Sequence, residues 1–230
     1  MFPSSPVQLY KYMKKSYLIT LFIILVSFVL GFYFYPQFPD RAASHWNIKG
    51  QVDSYMGKFW VLFLMPIISL AIFLLFLLIP KIDPLKANIE KFRKYFDGFI
   101  VLIVLFLFYI YSLTIFWNLG VRFDMGQVLA PALAVLFYYC GVLTGKAKRN
   151  WFVGIRTPWT LSSDRVWEKT HKLGAKLFKI AGLVALIGII SPKVSFFLLF
   201  SFLFAFIIYI VLYSYFEYQR EQNTTQKEKK

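Results

Sequence analysis

Cysteine, histidine and acidic side chains are all scarce in this sequence, and each shortage argues against a class of site. The single cysteine, Cys140, leaves no partner for a disulfide and no cysteine-based metal site. Only two histidines, His45 and His171, occur in 230 residues, and 11 acidic residues face 26 lysines and arginines, for a formal net charge of +15. Catalysis by several converging acids, bases or nucleophiles is therefore not indicated.

Charge is also missing from five long apolar stretches. Hydrophobic residues make up 59% of the chain and aromatic residues 21%, which points to lipid rather than water as the solvent. Because the hydrocarbon core takes roughly 20 apolar residues as a helix, we predict an all-α polytopic membrane protein. The five stretches, none of which contains Asp, Glu, Lys, Arg or His, are Tyr17–Tyr35, Phe59–Ile79, Phe99–Asn118, Val128–Thr144 and Ser195–Phe216.

A sixth candidate span, Phe178–Ile190, has only 13 residues and contains Lys179. This length would also suit a re-entrant or interfacial segment. With six spans and both termini in the cytoplasm, 21 of the 26 basic residues lie inside, as the positive-inside rule requires. Lys176 and Lys179 can extend back to the interface, which permits a span beginning near Leu173. We therefore predict six transmembrane helices in the cell membrane, with cytoplasmic N- and C-termini.

These spans divide the chain into six parts. The sequence predicts a cytoplasmic N-terminus (1–16), a two-span unit (17–80) with an outer loop (36–58), a cytoplasmic connection (81–98), a central two-span hairpin (99–145), a unit in which a cytoplasmic amphipathic helix leads into two spans (146–216) and a cytoplasmic tail (217–230). We expect the tail to be disordered because it is polar and charged.

The polar segment that follows Lys146 predicts an amphipathic helix. Ser163 and Asp164 form a helix start, and Pro158 keeps the chain extended at Thr157. One face carries the basic residues, and we expect it to contact anionic lipid or a cytoplasmic protein. We expect small residues on the opposite face to pack closely against a neighbouring helix. The basic residues are Arg165, Lys169, Lys172, Lys176 and Lys179; the opposite face has Trp167, His171, Gly174, Phe178, Ala181, Ala185 and Gly188.

Each histidine leaves two interpretations open. His171 is either a hydrogen-bonded residue of the packed face or a proton-sensing or ligand-contacting group. In the outer loop, His45 could bind a cation together with Asp40 and Asp53, although their spacing matches no known ligand motif. The loop as a whole either caps the helices or binds an extracellular peptide, and Trp46 fits an aromatic belt at the outer interface.

The stretch Asn150–Phe178, NWFVGIRTPWTLSSDRVWEKTHKLGAKLF, resembles the signature of the SdpI family of multispan membrane immunity proteins. The outer loop is similar to an uncharacterised domain often found at the N-terminus of this family. The resemblance implies a functional motif consisting of Asn150, Trp151, Gly154, Arg156, Thr157, Pro158, Trp159, Ser162, Trp167, Thr170, His171 and Gly174. In the outer loop the corresponding residues are Pro36, Asp40, His45, Trp46, Gly50 and Asp53.

The family resemblance implies a signal-transducing receptor that gives immunity to a secreted peptide toxin. It also implies that this receptor holds a cytoplasmic transcriptional repressor at the membrane. We expect no cofactor and no direct contact with nucleic acid. A small-molecule or ion transporter is the alternative, but transporters usually carry ionisable residues or broken helices at mid-membrane. An enzyme is not expected, because the cytoplasmic cluster of Arg156, Asp164, Glu168 and His171 lacks a nucleophile or metal motif.

Overall fold

The protein is mostly helical in the computed structural model, which describes residues 6–228. Two single 3₁₀ turns, Tyr35–Gln37 and Ile187–Ile189, follow the first and seventh helices. The described α-helices are α1 (Pro6–Phe34), α2 (Lys58–Ile82), α3 (Lys86–Glu90), α4 (Arg93–Asn118), α5 (Met125–Lys146), α6 (Pro158–Ser162), α7 (Asp164–Leu186) and α8 (Pro192–Glu228).

Among the described residues, five helical segments are long and apolar enough to cross a membrane. Each of them contains one of the five apolar stretches predicted from the sequence, which confirms a helical, polytopic membrane protein. Helix α7 is not one of the five, because its first half is rich in charged residues. The five segments are Lys15–Gln37, Lys58–Ile82, Arg93–Asn118, Met125–Lys146 and Pro192–Thr224.

Helix α7 nevertheless lies antiparallel along α5, and the two backbones are in contact. A Cβ atom added to Gly141 would lie 2.6 Å from the carbonyl oxygen of Ala175, and one added to Gly182 would lie 2.8 Å from that of Ala134. Only glycine permits such an approach. The small-residue face predicted from the sequence is therefore confirmed as the packed face of α7, since Gly174, Ala181, Ala185 and Gly188 are all buried.

The start of α4 differs from the prediction, which placed the first residue of this span at Phe99. The helix begins six residues earlier and brings a charged cluster into the bundle of α1, α2 and α4. Arg93 Nε donates to Asp97 Oδ1 at 2.8 Å, and Asp97 is fully buried. The same guanidinium also contacts Glu90 and the Tyr17 hydroxyl. Pairing of this kind makes burial of both charges affordable.

The outer loop contains a β-hairpin, which the all-α prediction did not include. Strand β1 (Arg41–Trp46) pairs antiparallel with β2 (Val52–Gly57), with irregular register beyond Ala43. Asn118, at the end of α4, exchanges two hydrogen bonds with Ala43: its Oδ1 accepts from the backbone N–H at 2.7 Å, and its Nδ2 donates to the carbonyl at 2.9 Å. These bonds fix the hairpin to the end of the helix bundle.

The C-terminal tail is helical for as far as it is described. Helix α8 continues to Glu228, well past Phe216, where the sequence analysis ended the last span and expected disorder to follow. Residues 229 and 230 of the predicted tail, and residues 1–5 of the predicted cytoplasmic N-terminus, lie outside the described part of the chain.

Candidate functional site

Asn150 organises the loop that joins α5 to α6. Its Oδ1 accepts from the backbone N–H groups of Phe152 and Val153 at 2.9 and 2.6 Å. Its Nδ2 donates to the carbonyls of Lys148 and Val153, both at 2.8 Å. The side chain is fully buried. An asparagine is required here because two donors and two acceptors must be satisfied at once.

Gly154, in the same loop, fits directly against α7. Its φ of +117° lies in the region that favours glycine. An added Cβ would collide with His171 Nε2 and lie 3.2 Å from Trp167 Cζ2. The two aromatic rings stack with centroids 3.8 Å apart, and the Trp167 indole donates to the Ala147 carbonyl at 2.9 Å. Three motif residues, Gly154, Trp167 and His171, therefore form one packed unit beside the loop that Asn150 organises.

Both ring nitrogens of His171 are engaged. Nε2 accepts from the Ile155 N–H at 3.0 Å, so Nδ1 carries the proton and donates to the Trp167 carbonyl at 2.8 Å. Burial lowers the pKa of His171 from 6.5 to about 4, because the charged imidazolium would lose its hydration. Of the two interpretations given above, this arrangement favours the hydrogen-bonded residue and argues against proton sensing near neutral pH.

The short helix α6 connects the loop to α8. Thr157, which is extended as predicted, accepts from the Thr160 N–H at 3.2 Å and forms a capping box with it. Its hydroxyl also lies 3.0 Å from the Ser214 hydroxyl of α8. Trp159 packs edge-on against Tyr215, with ring centroids 5.2 Å apart. Helix α6 begins at Pro158 and was not predicted, whereas the start of α7 at Ser163 and Asp164 is confirmed.

The remaining motif residues divide between interior and surface. Thr170 is fully buried, with its hydroxyl unpaired within the described chain, and Gly174 packs against the Ile155 side chain. Trp151, Arg156, Pro158 and Ser162 are exposed instead, and the Arg156 guanidinium donates to the Trp151 carbonyl at 2.5 Å. Trp151 and Arg156 thus form a small accessible patch, which we call the Trp–Arg patch.

Two residues that position the motif, Asp83 and Asn88, were missed by the sequence analysis. Asp83 is buried, and its two oxygens accept from the Leu85 N–H at 2.6 Å and the Trp151 N–H at 2.9 Å. Asn88 donates to the Arg149 carbonyl at 2.8 Å. The one available signal was the Asp83-Pro84 pair, which is typical of a turn. The N-terminal half of the chain therefore holds the motif loop in place.

The basic face of α7 is largely accessible, as predicted. Arg165, Lys172 and Lys176 are exposed. Lys169 differs, because its ammonium group contacts Glu217 Oε2 of α8 at 2.5 Å. Glu217 is buried and also accepts from Arg220 at 2.9 Å.

In the outer loop, the three residues considered for cation binding do not come together. His45 Nδ1 lies 2.5 Å from Asp53 Oδ1 across the hairpin. Asp40, at the opposite end of β1, pairs with Lys58 at 2.9 Å, and this hydrogen bond lowers the pKa of the Asp40 carboxyl. The predicted site is therefore a His–Asp pair rather than a three-ligand cluster.

Other predicted residues of the outer loop shape its turns and contacts. Pro36 lies in the 3₁₀ turn after α1. Trp46 packs edge-on against Trp117 of α4 with centroids 5.4 Å apart, so it belongs to the loop's contact with the helices. Gly50 has a φ of +71° at the hairpin turn, and a Cβ there would lie 3.3 Å from Asp124 Oδ2.

Comparisons with known proteins match both halves of the chain. Residues 146–214 match the model of the SdpI/YfhL protein family, and residues 22–70 match that of a domain of unknown function (DUF1648). The chain is similar to "Immunity protein SdpI" of Bacillus subtilis (strain 168), with 23% identity over 172 residues, covering 75% of this chain and 80% of the relative. No solved structure matches the chain.

The matched segment 146–214 contains the whole motif together with α6, α7 and most of α8. The residues whose resemblance was noted in the sequence therefore include both the packed group around Gly154 and His171 and the exposed Trp–Arg patch. Through this segment the chain matches the SdpI/YfhL protein family, and the relative named above is similar over most of the chain.

Proposed function

We propose that this chain is a membrane immunity protein that protects its cell against a secreted peptide toxin. The observation that carries the proposal is the alignment with a relative described as an immunity protein, which covers 75% of the chain at 23% identity. Two ordered polar regions support the proposal. One is the hairpin fixed to one end of the helix bundle, and the other is the motif at the opposite end. The proposed role is binding rather than catalysis.

The proposal includes six spans with both termini in the cytoplasm. Glycine contacts extend along α7, from Gly145 of α5 against Ala175 to Gly188 against Ala130. At about 1.5 Å per residue, the stretch from Leu173 to Ile190 is roughly 27 Å long, close to the thickness of the hydrocarbon core. Helix α7 would therefore cross at the side of α5, and α8 would return to the cytoplasm.

Cysteine labelling tests this topology. In a Cys140→Ala background, we expect Ser191→Cys, between α7 and α8, to react with a membrane-impermeant maleimide in intact cells. Asn223→Cys, near the end of α8, should react only after lysis. The reverse pattern would mean that α7 does not cross and that the chain has five spans.

The proposed signal passes through α7 and α8. Both helices extend from the outer end of the bundle to the motif, where Lys169 and Thr157 contact Glu217 and Ser214. If the two helices changed their relative position at the outer end of the bundle, the motif at the cytoplasmic end would move as well. We propose that the Trp–Arg patch and the basic face of α7 then hold a transcriptional repressor at the membrane.

Toxin sensitivity is the decisive measurement for immunity. Deleting the gene should sensitise cells to a membrane-active peptide secreted by the same or a neighbouring strain, and expression of the intact chain should restore resistance. Arg156→Ala should leave membrane insertion and resistance unchanged but abolish recruitment of a fluorescently tagged repressor encoded beside the gene. Lys86→Ala, in the connection between α2 and α4 and outside both proposed contact surfaces, is the matched control for loss of one exposed charge. Unchanged sensitivity across a panel of such peptides would reject the immunity proposal.

Transport is the competing function, and the buried Asp97 is the observation that favours it, because buried carboxylates are typical of ion pathways. Its pairing with Arg93 on the next turn supplies a structural reason for its presence. Ion-coupled uptake in vesicles that is lost in Asp97→Asn would support a transporter, whereas uptake equal to that of empty vesicles would exclude it.

A further inference from the structure

The outer end of the protein contains a cavity of about 540 Å³, a volume within the range of ligand sites. Its walls come from four elements: the hairpin between His45 and Asp53, the first turns of α5, the end of α7 and the start of α8. Two of these elements, α7 and α8, are the helices that also hold the cytoplasmic motif.

The cavity walls are apolar along the helices and acidic where the hairpin meets the start of α5. Leu129, Leu133 and Leu199 are among the apolar lining residues. The two carboxylates are those of Asp53 and Asp124, and no lysine or arginine lines the cavity in the part of the chain that the structure describes. A cation with an apolar neighbour therefore complements these walls.

The indole nitrogen of Trp46, another lining residue, is buried and is not accessible from the cavity. The best occupant therefore carries a cation and an apolar group within one cavity length.

We propose that this cavity binds a lysine or arginine side chain together with an adjacent apolar residue of a secreted peptide. Asp53 and Asp124 bind the cation, and the wall that contains Leu129, Leu133 and Leu199 contacts the apolar residue. A phosphatidylethanolamine headgroup fits less well, because its phosphate would lie beside two carboxylates. The proposal deepens the proposed function and rests on it for the identity of the ligand as a toxin.

Binding of a defined probe tests the site in the purified full-length protein. The probe is a fluorescent dodecapeptide of alternating lysine and leucine, measured by anisotropy in maltoside micelles with empty micelles as background. Its glutamate–leucine counterpart is the charge-reversed control. We expect the cationic peptide to bind and the anionic one not to bind. Equal binding of both peptides would overturn the proposal.

Charge-removing variants locate the binding. Asp124→Asn keeps the helix cap, since asparagine can still accept from the Gln127 N–H, and Asp53→Asn is its counterpart on the hairpin. Each substitution should lower the affinity for the cationic peptide about fivefold, because it removes one partly exposed charge pair. Asp40→Asn removes a carboxylate outside the cavity and should change binding by less than about twofold, as expected when no contact is lost. An equal effect in all three variants would mean non-specific attraction and overturn the site.

Two further outcomes are decisive. Leu129→Trp fills the cavity and should abolish binding, so undiminished binding would overturn the proposal. Displacement of the peptide by phosphatidylethanolamine, but not by phosphatidylglycerol, would assign the cavity to a lipid and overturn it as well. The deletion experiment is independent of the binding experiment. If deletion leaves toxin sensitivity unchanged but peptide binding depends on Asp124, only the immunity proposal is rejected. If the chain gives resistance but peptide binding does not depend on Asp124, only the cavity proposal is rejected.

Discussion

Replacing Gly154 by alanine should disrupt the motif, and the cost can be worked out from two separate contributions. The backbone has a φ of +117°, where a side chain costs about 1–3 kcal/mol. The added methyl group would also collide with His171 Nε2 and displace the ring from the Ile155 N–H. Leaving that N–H unpaired costs about 1–3 kcal/mol more. We expect a total loss of about 2–6 kcal/mol, enough to unfold the motif or the protein.

Two other glycines separate these contributions. Gly120 has a φ of +103° with nothing within 4 Å of an added Cβ, so Gly120→Ala should show the backbone cost alone. Gly57 has an ordinary φ of −60° and equally open surroundings, so Gly57→Ala should be neutral. Unfolding of the purified protein in mixed micelles would rank the three variants, and hydrogen exchange at residues 150–157 would report the local loss. Equal stability of the Gly154 and Gly120 variants would refute the role assigned to the His171 contact.

Three further predictions follow from the same contacts. With the pKa of His171 near 4 in the folded protein and 6.5 when exposed, the unfolded chain binds more protons between these values. Stability should therefore fall by up to about 3 kcal/mol as pH drops from 6.5 to 4. His171→Gln should flatten this dependence, and an unchanged pH profile in that variant would contradict the assignment to His171. Asn150→Asp loses both Nδ2 donors and should fail to accumulate in membranes, as an immunoblot would show, whereas wild-type levels would contradict the account of the loop. Lys169→Glu and Glu217→Lys should each cost on the order of 1 kcal/mol of unfolding free energy, and the double exchange should recover part of it; additive losses would mean that the pair is not coupled.

The helices were predictable because their signals are local. A run of apolar residues is its own evidence for a span, so all five apolar stretches were found. The packed face of α7 followed from the spacing of small residues such as Gly174 and Ala181, and its start followed from Ser163 and Asp164. These features depend on residues no more than a few turns apart.

The hairpin and the charged cluster were missed because their causes are not local. Strand β1, RAASHW, has no alternation of polar and apolar residues, and its place is fixed by Asn118, 75 residues away. Arg93 lies in the stretch predicted as a cytoplasmic connection, because no residue near it in sequence indicates that its guanidinium contacts Tyr17 of α1. Tertiary contacts decide such cases.

The candidate motif was predicted as a set, but the division of labour within it was not. The sequence placed Arg156 and His171 together in the motif without separating their roles. In the structure His171 is an interior hydrogen-bonding group, and Arg156 lies on the surface. Truncating His171 would thus damage folding, and only Arg156→Ala examines an accessible contact. Burial, which separates these roles, is set by how α7 packs against the motif loop.

The glycine contacts between α5 and α7 bear on how the protein is assembled in the membrane. If α7 crosses as proposed, its charged first half and short apolar second half make it a poor substrate for insertion on its own. The surface of α5 against which α7 packs is available only after α5 has been inserted. Insertion of α7 should therefore follow that of α5. It should be completed together with α8, because the strongly apolar segment of α8 favours insertion of α7 and α8 as one helical hairpin. The order of synthesis along the chain provides this sequence of events.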